Sequence, residues 1–139
     1  MIAHVAVACV LREAVRAPYT NLVTRPTGVL VRRHIEATLE AGAPRVTVLD
    51  FTDIALLDCS CADEIVVKLA FGVDGVATRP IVLRGLREDQ REAIDYVLVR
   101  CGAAVTAVDG LEDESVGPLD PALHRLLVDA LTRADEADA

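Results

Sequence analysis

Short β-branched apolar runs alternate along this chain with stretches in which apolar residues return every three or four positions. That alternation constrains the fold more than any other feature. A short, nearly continuous run of Val, Ile and Leu suits a strand buried on both faces, whereas the longer period buries one side of a helix. Strands separated by helices predict an α/β domain with largely parallel neighbours.

The first strand is expected over Ile2–Leu11, rich in Val and Ala. Arg12–Asn21, with Pro18 and polar residues, reads as a connection, followed by a short strand near Leu22 and Val23. A helix then runs from Thr24 or Thr27 to Ala41. Either Thr can serve as N-cap, and Pro26 suits a first turn. Val31, Ile35 and Leu39 share one face of it, and Gly42 is its expected stop, with Pro44 beyond. Arg45–Phe51 is a short strand. A second helix starts near Ser60 or Cys61. Its Ala62, Ile65, Val66, Leu69 and Ala70 keep the spacing of one buried face, and Gly72 and Gly75 end it.

Pro80–Arg84 is a further buried strand. Glu88–Arg100 is helical, with Ile94, Val97, Leu98 and Cys101 on one face and Gly102 as the stop. Ala103–Val108 is a last strand, and Asp109–Gly117 an acidic loop. Asp120 and Pro121 have N-cap and first-turn chemistry for a final helix through Arg133, its apolar face made by Leu123, Leu126, Leu127, Ala130 and Leu131. The expected unit is one domain over residues 1–133, with four or five strands and about four helices. An acidic tail occupies 134–139.

Composition narrows the function. The 139 residues carry 22 acidic against 14 basic side chains, a net charge of −8, and an aromatic fraction of 3%. Phosphate-backbone binding needs a basic face and base stacking needs aromatic platforms, so nucleic acid is not an expected partner. The longest apolar run, Val5–Leu11, is far short of the roughly 18 residues that span a bilayer. The first residues lack the basic segment of a secretory leader, so a cytoplasmic location away from membranes is expected. Cys9, Cys59, Cys61 and Cys101 include no pair at the spacing of a redox or zinc motif. They read as reduced, mostly buried small hydrophobes, and no metal or other cofactor is expected.

One segment stands apart: Val48-Leu49-Asp50-Phe51-Thr52-Asp53-Ile54-Ala55-Leu56-Leu57-Asp58-Cys59-Ser60-Cys61-Ala62-Asp63-Glu64. Ser60 comes after an acid and precedes an apolar helical face, which is the grammar of a helix cap. A phosphate there would meet the positive end of a helix, but beside Asp58, Asp63 and Glu64. Asp50 either satisfies loop amides at a strand end or contacts a partner. Asp63 and Glu64 are either first-turn partners of the helix dipole or recognition groups, and Arg25 can pair with one of them. Cys59 and Cys61 flank the serine and add the possibility of thiol modification.

A buried strand ending in Asp, a hydrophobic pair, a second Asp, a Ser and a helix together resemble the core signature of STAS domains, the fold of bacterial anti-sigma factor antagonists. The stretch Thr24-Arg25-Pro26-Thr27-Gly28 and the acids after Ser60 are similar to a divergent STAS-like branch. The matched core spans residues 24–71. The resemblance implies that Asp50 and Asp58 are the two family aspartates and Ser60 the serine phosphorylated by a partner kinase. Cys59-Ser60-Cys61 stands where typical antagonists carry Ser-Ser-Gly. The resemblance also implies a non-enzymatic protein–protein interaction module in bacterial signalling. Such a module would regulate transcription, with an anti-sigma factor or a serine kinase of that class as partner. Asp50, Asp58, Cys59, Ser60, Cys61, Asp63 and Glu64 would form the contact surface.

Two other classes remain open. Some STAS-like domains are small-ligand or nucleotide-binding accessory modules, although no Gly-x-Gly-x-x-Gly or Walker-type loop is present. A Cys- or Ser-dependent enzyme would need one of His4, His34 and His124 beside its nucleophile, and no Gly-x-Ser-x-Gly elbow occurs. His34, beside Val31 and Ile35, reads as structural.

Overall fold

The computed structural model describes residues 2–72, 79–102, 105–109 and 112–116. The chain is a mixed α/β protein. Strand β1 (Ile2–Ala6) leads directly into helix α1 (Val7–Val15), and a two-residue strand β2 (Asn21–Leu22) precedes α2 (Arg25–Gly42). Then come β3 (Val46–Asp50), β4 (Leu56–Leu57) and a helical run over residues 59–71. That run is α3 (Cys59–Ala62), a π turn (Asp63–Val67) and α4 (Lys68–Phe71). Next are β5 (Ile81–Arg84), α5 (Glu88–Cys101), β6 (Val105–Asp109) and β7 (Glu112–Val116).

The main sheet has the order β1-β3-β5-β6-β7, and β2 pairs with β4 apart from it. β1, β3, β5 and β6 are parallel neighbours, and β7 closes the edge antiparallel to β6. Each crossover steps one strand in the same direction. With right-handed connections this puts the helices on one face of the sheet. The burial pattern agrees. Val5, Leu49, Ile81, Leu83 and Val105 form one core with Leu11 of α1, Ile35 of α2, Ile65 of the π turn and Ile94 of α5. Val46, Val48 and Val82 alternate to the opposite face and are also buried, with Ile2 against them. β3 is therefore apolar on both sides, as its continuous run predicts.

Several expectations are corrected. Residues 2–11 are not one strand, because Val7-Ala8-Cys9-Val10-Leu11 turns helical and buries Val7, Ala8 and Leu11 on one side. An unbroken Val/Ala run satisfies either period, and tertiary contact with α2 decides between them. α2 includes Gly42, and the left-handed stop falls on Ala43 (φ 43°). The span 109–117 contains β7 rather than only a loop, because pairing with β6 satisfies its backbone. α5 ends at left-handed Gly102 as expected. Gly75, the predicted helix over Asp120–Arg133 and the tail over 134–139 lie outside the described residues. Among the described residues no helix is long and apolar enough to cross a membrane.

Candidate functional site

The site grows from the N-terminus of α2 and the start of α3, which Asp58 joins. Its carboxylate accepts Thr24 N–H on Oδ2 at 2.8 Å, and Cys61 N–H at 2.8 Å and Ser60 Oγ–H at 2.9 Å on Oδ1. Asp58 is thus the N-cap of α3, which starts at Cys59, correcting the expected cap at Ser60. A carboxylate one turn back reaches the free amides, whereas Ser60 already lies inside the helix. Burial works to raise the Asp58 pKa, but the bonds from Cys61, Thr24 and Ser60 outweigh it and hold the group below the ordinary range.

Thr24 is clamped from both sides. Its φ of 70° is rare for a β-branched residue. Asp58 takes its amide, and the Cys61 thiol donates to its carbonyl at 3.1 Å. Cys61 is fully buried, and burial together with the charge of Asp58 pushes its thiol up to about 12. A thiol so protonated is a poor nucleophile. Cys59 is exposed, so the two cysteines face different surroundings, and Cys9 and Cys101 are exposed as well, which corrects the expectation of mostly buried cysteines and of Cys101 on the apolar face of α5.

Below this joint lies an ionic cluster. Glu64 is buried, its side chain 2% exposed, yet it meets three cations. Arg25 Nη1 donates to Oε1 at 2.7 Å, Lys68 Nζ to Oε1 at 2.7 Å and Arg32 Nε to Oε2 at 3.1 Å. Arg25 also holds Asp63 at 2.8 Å, and Arg32 holds Glu36. The expected pairing of Arg25 with one acid is therefore a bond to both. Burial opposes ionisation of Glu64, but the three cations prevail and lower its pKa, while bonds to Asp63 and Glu64 raise that of Arg25.

The π turn places this carboxylate. The Lys68 amide reaches back to the Asp63 carbonyl, so the helix gains one residue in that turn. Four consecutive residues, Glu64, Ile65, Val66 and Val67, are consequently buried between α2 and α5. Gly28 permits the approach of α2. A Cβ there would meet Cys61 Cα and Glu64 Cβ at 3.1 Å each. The sequence reading missed both Gly28 and Arg32. The available signals were a glycine inside a helical pattern and an acid on an apolar helix facing a helix rich in Arg.

Asp50 is separate from this joint. At the end of β3 its Oδ1 accepts the Thr52 amide at 2.9 Å and hydroxyl at 2.6 Å, so it satisfies loop groups. Gly85 (φ 70°) packs there because a Cβ would lie 2.6 Å from that oxygen. Beside it, at the carboxyl ends of β3 and β5, an open cleft of about 410 Å³ is lined by Thr20, Thr52, Asp53, Gly85 and Arg87 among others. Of the predicted contact residues, Asp58, Ser60 and Asp63 are partly exposed and Cys59 is exposed, but Cys61 and Glu64 are buried. Those two act from inside and do not form a surface. His4 and His34 are exposed, which corrects the structural role expected of His34, and His124 lies outside the described residues. Among the described residues no group of three His, Cys, Asp or Glu side chains could hold a metal ion.

No protein-family model matches this chain, and no curated protein or solved structure is significantly similar to it.

Proposed function

We propose that the chain is a non-enzymatic protein–protein interaction module, similar to the anti-sigma factor antagonists, whose contact face is the surface at the start of α3. One observation carries this reading. The Ser60 hydroxyl rests on Asp58, the same carboxylate that holds the Thr24 amide of α2 and the Cys61 amide of α3. A change at Ser60 therefore acts on the joint between two helices. Leu56, 50% exposed and adjacent in sequence to the capping segment, supplies apolar contact area, and exposed Cys59 lies beside the serine.

Phosphorylation of Ser60 would add a charge of about −1.5 to −2 beside Asp58 and Asp63. It would compete with the cap and repel an acidic partner, so the modified form is the released form. The partner is an anti-sigma factor or a serine kinase of that class. A two-hybrid screen against the regulatory proteins of the host tests this, together with kinase incubation. Binding is expected for the parent and Ser60→Ala and lost for Ser60→Glu and Leu56→Glu. Retrieval of no regulatory partner, or equal binding by all four, would overturn the proposal. A kinase that binds the chain but leaves Ser60 unmodified removes the switch alone.

The cleft of about 410 Å³ beside Asp53 and Arg87 favours a second reading, a small-ligand accessory module. Its size falls in the range of small-molecule sites. A thermal-shift screen with nucleotides tests it, because a ligand that selects the native state raises Tm. A flat screen removes the nucleotide version of this reading.

A further inference from the structure

The ionic cluster beneath Ser60 contains one cation able to change partners. Arg25 is 48% exposed at its side chain, against 11% for Arg32 and 27% for Lys68. Its Nη1 bridges Asp63 Oδ2 at 2.8 Å and Glu64 Oε1 at 2.7 Å. Its backbone continues from Thr24, whose amide sits on Asp58, and the other oxygen of Asp58 holds Ser60 Oγ at 2.9 Å. Asp63 lies three residues after Ser60 on the same helical run, so the two side chains are neighbours, with Cβ atoms about 5–6 Å apart. The backbone before Arg25 and its guanidinium thus each meet an acid that neighbours Ser60, Asp58 at one end and Asp63 at the other.

We propose that Arg25 is the cation that binds phosphate on Ser60, donating to its oxygens as it leaves Glu64 and Asp63 and so carrying the modification into the ionic cluster between α2 and the π turn. The inference rests on Ser60 being the modified residue. In that step a nucleoside triphosphate gives its γ-phosphoryl group to Ser60 Oγ. The new O–P bond forms as the bond to the diphosphate breaks, the nucleoside diphosphate leaves, and the hydroxyl proton passes to a base of the kinase.

Three features favour exchange. A guanidinium pairs with phosphate through two parallel charge-assisted bonds, a better match than single bonds to two carboxylates. Glu64 is not abandoned when Arg25 leaves, because Lys68 stays on Oε1 and Arg32 on Oε2. Asp63 is partly exposed and keeps Lys68 at 3.9 Å. The buried carboxylate thus loses one of three cations, which loosens α2 from the π turn without stranding a charge. Asp58 holds the Ser60 hydroxyl and Asp63 follows three residues on, and Arg25 is a cation already bonded to Asp63.

Phosphoserine installed at position 60 during translation tests this by phosphorus NMR. A neighbouring cation favours the dianion, so Arg25 lowers the midpoint of the phosphate's second ionisation. Arg25→Gln is expected to raise that midpoint by about half a pH unit or more. The Arg25 Nε–H resonance is expected to shift between the unmodified and phosphorylated chains. Identical titration of the parent and Arg25→Gln chains would overturn the assignment. Should Arg25→Gln fail to fold, an Arg25 resonance that phosphorylation leaves unmoved would overturn it as well. Neither measurement uses a kinase or partner, so failure of the two-hybrid and kinase tests and failure of this one are separate outcomes.

Discussion

Glu64→Gln is the sharpest perturbation of the ionic cluster. The substitution keeps side-chain size, removes the negative charge, and turns amide hydrogens toward cations that need acceptors. Breaking a fully buried pair costs roughly 3–5 kcal/mol, and an exposed pair about 0.2–1. The cluster lies between these limits. Glu64 is 2% exposed, but Arg25 and Lys68, at 48% and 27%, can regain water. Arg32, at 11%, cannot do so fully, although Glu36 continues to hold it. The expected loss is therefore about 2–3 kcal/mol, between those two limits.

Urea unfolding measures the loss directly. The midpoint should fall with the slope unchanged, because the surface exposed on unfolding is the same. Glu36→Gln is the internal reference. Its carboxylate meets one cation at the helix surface, so about 0.5 kcal/mol is expected. A cycle with Arg32→Gln should return a coupling to Glu64 of roughly 1 kcal/mol or more. A loss for Glu64→Gln no greater than that for Glu36→Gln would refute the reasoning. It would mean that desolvation of Glu64 cancels the attraction of its three cations.

The same geometry fixes other outcomes. Gly28→Ala gains helix propensity of about 1 kcal/mol in principle. Here it should still lower Tm, because the new Cβ lies 3.1 Å from Cys61 Cα, a backbone atom that cannot swing aside. Asp58 and Glu64 titrate below their ordinary ranges when folded, so the unfolded chain binds more protons as pH falls through the carboxylate range. Stability from these groups should be fully present above about pH 5 and lost progressively below it, and Glu64→Gln should flatten that decline in urea titrations at stepped pH. With a thiol reagent at neutral pH, exposed Cys9, Cys59 and Cys101 should react in the native state. Buried Cys61 should react only on unfolding, and four equally fast thiols would contradict its placement.

How legible the site was depended on the range of the interactions. Asp58, Ser60 and the start of a helix were readable because capping is local, involving groups within three residues. Even so, the cap was expected two residues late, at Ser60 instead of Asp58. The aspartate reaches forward to Cys61, whereas a serine already inside the helix turns back to the aspartate. Glu64 looked like a first-turn surface acid. Only the π turn, and a glycine on a distant helix, bring it inside against Arg25 and Arg32. None of that has a periodic signature, because one inserted residue disturbs the 3.6-residue pattern rather than creating another.

The alternation of strands and helices, the aliphatic core and the stops at Gly72 and Gly102 come from the sequence by itself. They depend on side-chain period and on the conformational freedom of glycine, which are local properties. The tertiary structure decided what local physics leaves degenerate. It chose helix over strand for residues 7–15, and drew an acidic stretch into β7 through pairing with β6. It also turned scattered charges of both signs, 32 to 39 residues apart, into one cluster around the buried Glu64 carboxylate. Those outcomes depend on which groups lose water together, and that is settled only when α2 meets the π turn.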